Sequence, residues 1–525
     1  MSGAPGLEGQ VTILDTLLNE SMLGALYRVW TQSAVFALLR RCHARVVSAL
    51  RQSAILGFVF GESAAERAFA DCFAARLLRG ITAWLTGLCA RIAAGIRGSA
   101  ICGAVMPLVA DSAILNFDFL FGAFLGALFL VPHAYWNNSL FVLGAAAFTG
   151  LFRLLGGAGK RRVEDPGILG FWFFLFALSC GLSMLNTAAF SDSLRILTFF
   201  LASFAVCWII AQNFARPDSL RRLLAFLYVS VLIMSVLGIG QRVLNLVSFN
   251  ASYTDPNINV GVPGRVYATL DNPNNLSGVM QVFLPLCAAF AGGADRTWKR
   301  FVLGGALLLP VVALVMTYSR SGWISIALAA GVFVYCCCKR LIPAFAVLAA
   351  ACVPFLPQSV ITRFSTIFNS KDLSRNHRID IWTGCLQMLK RYWVTGIGLG
   401  PDAFQKIYAD YAYGTGKVGA YHTQMLYMEL LVETGIVGFV AFFRMLLCYA
   451  GRFGRAIRRA SSSMPRLVLI AGIASMTGLA ASFLVEYLWY YPRCMFAFFI
   501  FFGVVLAALR CVETEELPRA AQGAD

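Results

Sequence analysis

Residues 421–438 read YHTQMLYMELLVETGIVG. A histidine at position 422 leads without a break into an apolar run that carries Glu429 and Glu433. The stretch closes a longer polar interruption, from Arg363 to Gly438, that also holds Arg375, His377, Arg378, Asp380, Lys390, Arg391 and Asp402. Polar chemistry is scarce elsewhere, because the chain is 59% hydrophobic and has only four histidines. Several arginines beside one histidine suit an anionic substrate and a single proton transfer.

Working outward, the apolar runs set the class. Charged residues make up 13% of the 525, against about a quarter in soluble domains. A membrane helix needs about 20 mostly apolar residues. Runs that qualify are Ala113–Val131, Tyr135–Leu155, Ile168–Leu185, Ile196–Phe214, Leu223–Ile239, Leu276–Ala291, Phe301–Thr317, Trp323–Cys338, Leu341–Leu356, Leu426–Tyr449, Leu467–Leu484 and Met495–Leu509. The expectation is an all-α polytopic protein with about twelve transmembrane helices, since open sheet edges cannot be satisfied in lipid.

Lys160, Arg161, Arg162, Arg216, Arg221, Arg222, Arg296, Lys299, Arg300, Lys339, Arg340, Arg452, Arg455, Arg458 and Arg459 fall in alternate connections. The positive-inside rule makes that side cytoplasmic, with both termini inside. The net charge of +17 then reflects orientation. No basic groove interleaved with aromatics points to nucleic acid. The opposite face receives two long connections, 243–275 and 357–425. Their arginines run against the topological trend, which argues for a task there.

The chain divides into a basic amphipathic helical region, 1–110, and a polytopic part, 111–525. In the first, Arg28, Arg40, Arg41, Arg45, Arg51, Arg67, Arg76, Arg79, Arg91 and Arg97 recur among Leu, Ala, Phe and Trp, and no uninterrupted span precedes Gly98. Such helices lie in the interfacial plane on the cytoplasmic leaflet; a small helical bundle or partner-docking segment is the alternative. The signature of a cleaved signal peptide is missing, so the region is expected to be retained. The 15 cysteines fall mostly within spans, as small buried filler. No Cys/His spacing of zinc type occurs, and neither metal nor cofactor is expected.

Four motifs in the polytopic part carry chemistry. Gly264-Arg265 is followed by Asp271-Asn272-Pro273-Asn274-Asn275, where Asn274 and Asn275 are candidate helix caps and a free helix start attracts anions. Tyr318-Ser319-Arg320-Ser321-Gly322-Trp323 is a tight connection that positions its arginine. Arg378-Ile-Asp380-Ile-Trp382 precedes Gly396-Ile-Gly398-Leu-Gly400, which lacks the third glycine of a dinucleotide fingerprint and reads as a flexible turn. A helix starting near His422 puts His422, Glu429 and Glu433 on one stripe, where a carboxylate could hold the imidazole as a base.

In this order the motifs resemble the O-antigen ligase and Wzy-type polysaccharide polymerase superfamily, over roughly residue 168 to the C-terminus. The resemblance implies a metal-independent, inverting membrane glycosyltransferase. Its donor is an undecaprenyl diphosphate-linked glycan, its acceptor a glycan or lipid hydroxyl, and its place the outer face of the bacterial inner membrane. It also implies Arg265, Arg320 and Arg378 as diphosphate ligands, with Asn274 and Glu429 among the substrate-binding groups, His422 as the base and Glu433 as its orienting partner. One departure is Thr423, where the family usually has Asn after the histidine; this puts the acceptor contact in question. Two other readings are a lipid-linked oligosaccharide flippase or other transporter, and a noncatalytic scaffold for envelope assembly. A transporter calls for mid-span ionisable residues and an internal repeat. Asp118 is the nearest mid-span case, and no repeat is visible.

Overall fold

A computed structural model describes residues 64–69, 71–97, 116–157, 163–248, 264–337, 357–365, 373–413, 419–461 and 463–522, with single positions before 64 and between 341 and 354. Its elements are α1 (Ala64–Phe69), α2 (Phe73–Arg97), α3 (Phe117–Leu130), α4 (Asn138–Gly157), α5 (Phe171–Ser183), α6 (Phe190–Asn213), α7 (Pro217–Val243), α8 (Pro273–Gly292), α9 (Thr297–Ala306), α10 (Leu308–Met316), α11 (Arg320–Cys337), α12 (Gln358–Ser365), α13 (Leu373–Tyr392), α14 (Pro401–Tyr408), α15 (Leu426–Arg459), α16 (Ser463–Ser482) and α17 (Pro492–Gln522). The described residues contain no strand. Ten of the helices, α9 and α10 counting as one, are long and apolar enough to cross a membrane. The protein is a polytopic all-α membrane protein.

Nine of the expected spans coincide with these ten. Two others are the shorter apolar helices α3 and α5 with its 3₁₀ extension, Phe171–Asn186. The expected span 341–356 lies outside the continuously described residues, as do parts of both long connections and most of the first 63 residues. The tenth helix is α2, so a run of membrane length does precede Gly98, contrary to expectation. Arg76, Arg79, Arg91 and Arg97 sit towards its ends, so residues 80–90 form an uncharged middle. By length and composition α2 can cross a membrane, and it packs along α4, where Gly157 closes on the backbone of Ala90.

Helix α17 is the axis of the bundle. It is apolar all round, as a helix buried on every side must be, and Phe496 to Ala508 are buried throughout. Gly503 lets it close on the Cys207 backbone of α6. Rings from α5, α6, α15 and the turn at Trp489 fill the space beside it: Phe204 to Phe499 at 5.0 Å, Phe442 to Trp489 at 5.3 Å and Phe176 to Phe442 at 5.0 Å. A second group, α8, α11 and α16, meets through small residues: Gly322 faces Ser277, and Gly478 faces Ser325. Lipid supplies no hydrophobic drive between helices, so close packing of this kind is what holds them. The break between α9 and α10 at Leu307 follows from Pro310, which cannot donate to the preceding turn.

One end of the bundle is tied by charge. Arg510 pairs with Glu164 at 2.7 Å, Arg452 with Glu513 at 2.8 Å and Arg222 with Asp118 at 3.4 Å. Asp118 is therefore no mid-span charge. It lies in the first turn of α3 and accepts from Asn213 at 2.8 Å. At the other end, the described parts of connection 357–425 pack together. α13 and α14 bury Ile381, Cys385, Met388, Phe404 and Tyr408 against Ile397 and Val432, forming a small helical cap over the start of α15.

Candidate active site

The cap is seated on a break in α15. Gly435 has φ 67° and ψ −176°, a conformation open essentially to glycine alone. The freed backbone of Val432 and Glu433 pairs with the glycine segment: Ile397 N donates to Val432 O at 3.0 Å, Gly398 N to Glu433 O at 3.3 Å, and Ile436 N to Trp393 O at 2.8 Å. Gly396, Gly398 and Gly400 all have positive φ. A Cβ on Gly396 would collide with the carbonyl of Glu433, and one on Gly435 with that of Val394. Residues 396–400 are thus a rigid cradle, which corrects their reading as a flexible turn. From beside them, Asn186 Nδ2 donates to Gly396 O at 2.7 Å and Ser193 Oγ to Leu399 O at 2.6 Å.

Both carboxylates of α15 are buried. Glu433 Oε1 accepts from Gly400 N at 2.7 Å, while its Oε2 has no hydrogen-bond partner. Glu429 Oε2 accepts from Thr423 N at 2.6 Å. They face a cavity of about 20 Å³ shared with Tyr421, Tyr487 and Tyr490, room for a single water. Neither is hydrogen-bonded to His422. The helix begins at Leu426 after an N-cap at Met425, so His422 precedes it and the expected stripe does not reach the imidazole. Glu429 instead fixes the backbone next to the histidine, and Trp382 Nε1 fixes it from the cap by donating to Thr423 O at 2.8 Å.

His422 is half-buried, with Tyr490 at 4.5 Å and Tyr487 at 5.5 Å between ring centroids. Burial, with Arg378 and His377 nearby, pushes its pKa down from 6.5 to about 4, so the ring is neutral at neutral pH. Its Nδ1 accepts from Gln424 N at 3.1 Å. The neutral ring therefore carries its proton on Nε2, and its lone pair points at the Gln424 amide.

The arginines converge on the strap 317–321. Arg265 is buried and donates from Nε to Thr317 O and from Nη2 to Asn274 Oδ1, both at 2.6 Å. Arg363 Nε donates to Tyr318 O at 3.3 Å. Tyr318 has φ 51°, a costly value for so bulky a residue, and it turns the chain so that Arg320 opens α11. Ser321 Oγ reaches Glu486 Oε1 at 3.5 Å, and Arg378 Nη2 reaches the same oxygen at 3.4 Å. Arg378 Nε is buried without a partner. Segments 265–274, 317–321 and 378–382 are brought to one end of the bundle, and Trp382 ties the last of them to Thr423, next to His422. The cap of α8 differs from expectation: Asn272 accepts from Asn274 N at 2.8 Å, which frees the Asn274 side chain for Arg265.

Sequence reasoning overlooked the connection from α16 to α17. It supplies Glu486, the two tyrosines against His422, and Tyr491, which accepts from Asn272 Nδ2 at 2.9 Å. It also supplies Arg493, buried, donating to Val131 O at 2.8 Å and stacked 4.4 Å over Trp136. The signal was the cluster Glu486-Tyr-Leu-Trp-Tyr-Tyr-Pro-Arg493, which reads as an interfacial aromatic belt.

Residues 305–443 match the family model described as O-antigen ligase. The match begins before α10 and ends within α15, and so takes in the strap, the cap, His422 and both glutamates. A comparison with curated proteins returned no match.

Proposed function

From the O-antigen ligase domain carried by residues 305–443 and the groups gathered around it, we propose that the protein transfers or polymerises a glycan at the outer face of the bacterial inner membrane. The donor is an undecaprenyl diphosphate-linked glycan, and the acceptor is a hydroxyl of another glycan or lipid. The observation that carries this reading is that Arg265 and Arg363 bond the strap that bears Arg320, that Arg378 reaches the same strap through Glu486, and that Trp382, four residues from Arg378, holds Thr423 beside His422.

The acceptor oxygen attacks the anomeric carbon as the bond from that carbon to the diphosphate oxygen breaks, in one inverting displacement. The electron pair leaves with the diphosphate. Guanidinium groups stabilise the charge that develops there, with no metal in the step. The acceptor's proton goes to His422. To receive it, Nδ1 exchanges its hydrogen bond from Gln424 for the acceptor hydroxyl, and the diphosphate's negative charge raises the imidazole's basicity on arrival. Glu429 and Glu433 act on His422 indirectly, by holding Thr423 and the Gly400 cradle.

A second reading has a specific observation behind it. Because Nδ1 is occupied and Nε2 carries the proton, His422 could serve as a donor to a phosphate oxygen, with the unpaired Glu433 Oε2 taking the proton. The test of the overall function is carrier release. Purified protein in liposomes, given a lipid-diphosphate glycan and an acceptor, liberates undecaprenyl diphosphate in step with glycan transfer. Movement of the lipid across the bilayer without cleavage would support a flippase, and neither movement nor cleavage would support a scaffold.

A further inference from the structure

We propose that the cavity beside Glu433 is the acceptor subsite and that the acceptor is a sugar: one hydroxyl enters the cavity while the ring rests on Tyr421 and Tyr490. The assignment rests on the glycan-transfer reading above and names the acceptor's class within it.

Several polar groups meet at this cavity with nothing to bond. Glu433 Oε2 has no partner, on a side chain that is 1% exposed. The hydroxyls of Tyr421, Tyr487 and Tyr490, which share the lining, make no hydrogen bond among the described residues. Buried polar groups are nearly always paired, so unpaired groups gathered round one cavity mark a place that a ligand completes. Its volume, about 20 Å³, admits one hydroxyl and no larger group. Glu429 and Glu433 line it, and no described arginine or lysine does. The donor's diphosphate is therefore repelled from it.

The apolar part of the lining selects further. Phe200 and Trp489 are buried in its wall, and Tyr421 is 52% exposed and stacks on no other described ring. A sugar carries hydroxyls at its rim and an apolar C–H face, which matches carboxyl and phenol groups beside an open aromatic ring. A lipid alcohol offers one hydroxyl and would leave most of these groups unpaired. The place also fits, because His422 lies against Tyr490 at 4.5 Å and Tyr487 at 5.5 Å between ring centroids. A sugar held here presents a neighbouring hydroxyl to the imidazole that takes the acceptor's proton.

Saturation-transfer NMR on the full-length protein in detergent tests the subsite, with methyl glycosides of hexoses and N-acetylhexosamines as probes and butanol as the non-sugar alcohol. Neither donor nor transfer is needed, so failure here is separate from failure of the carrier-release test. Wild type binds at least one glycoside and not butanol. Tyr421→Ala weakens that binding about tenfold and Tyr487→Phe about fivefold. Both keep the wild-type unfolding midpoint, since the Tyr421 ring is exposed and the Tyr487 hydroxyl bonds nothing in the free protein. No glycoside binding, butanol binding as tight as the glycosides', or binding that neither variant alters overturns the proposal. In the carrier-release assay Tyr421→Ala raises KM for the acceptor and leaves KM for the donor unchanged. A rise in the donor's KM instead would put the donor sugar in the cavity and overturn the acceptor assignment.

Discussion

Gly435→Ala tests the link between the broken helix and the candidate active site. The native φ of 67° with ψ near 180° costs a residue with a Cβ about 1–3 kcal/mol. The added methyl also collides with the Val394 carbonyl, which pushes the cap away. The bonds Ile436 N to Trp393 O and Ile397 N to Val432 O are then stretched or lost, at about 1 kcal/mol each. The total, about 3–5 kcal/mol, is a large part of the roughly 5–15 kcal/mol that holds a domain folded. Thermal unfolding in detergent should show a lower midpoint, and transfer should fall because Gly400 no longer meets Glu433. Gly454→Ala on the same helix is the control. Its Cβ meets nothing, and alanine is the better helix former by about 1 kcal/mol. Wild-type midpoint and transfer in Gly435→Ala would refute the cradle argument.

Three further outcomes follow from the geometry. Arg265→Lys keeps the charge but cannot serve Thr317 O and Asn274 Oδ1 together; kcat/KM should fall at least tenfold, at about 1.4 kcal/mol per decade, and unchanged kcat/KM would remove Arg265 from the site. Because the His422 pKa lies near 4 in the free protein, the imidazole is neutral above about pH 5. kcat/KM, which follows the free enzyme, should stay level from about pH 8 to pH 5, while the acid limb of kcat lies higher because bound diphosphate favours the charged ring; a kcat/KM midpoint near the ordinary 6.5 would contradict the burial of His422. A cysteine placed at exposed Gly419 should be labelled by an impermeant thiol reagent from outside and one at exposed Ser461 should not, the reverse pattern excluding the proposed orientation.

Much of the architecture was legible because lipid leaves the backbone few solutions. Each described apolar run of sufficient length became a helix, and α17, with no polar face along Phe496–Ala508, became the core. The exception, α2, was hidden by counting arginines without asking where on the helix they fell. In the site, the arginine motifs were visible as charges running against the topological trend. The break at Gly435 was not visible, because Glu433-Thr434-Gly435 sits in an unbroken apolar run and only the packed cap makes that glycine's φ favourable. Helical spacing misled at His422 for a different reason: the helix begins at Leu426, four residues later, and Glu429 turns back to accept from Thr423 N instead of meeting the imidazole. Glu486 and its neighbouring tyrosines were missed since nothing local in Glu486–Tyr491 points at residues more than sixty positions away.

The central claim is that His422 takes the acceptor's proton, and His422→Gln tests it most directly. Glutamine can still donate a hydrogen bond to a phosphate oxygen but cannot act as a base. The measurement is single-turnover glycan transfer at about pH 7.5, beside binding of the lipid-diphosphate donor. The account predicts that His422→Gln and His422→Ala both lose about 10²–10⁴-fold in transfer while donor binding, carried by the arginines, stays near wild type. Transfer by His422→Gln within a fewfold of wild type would contradict it, leaving His422 a phosphate donor and moving the base to Glu433.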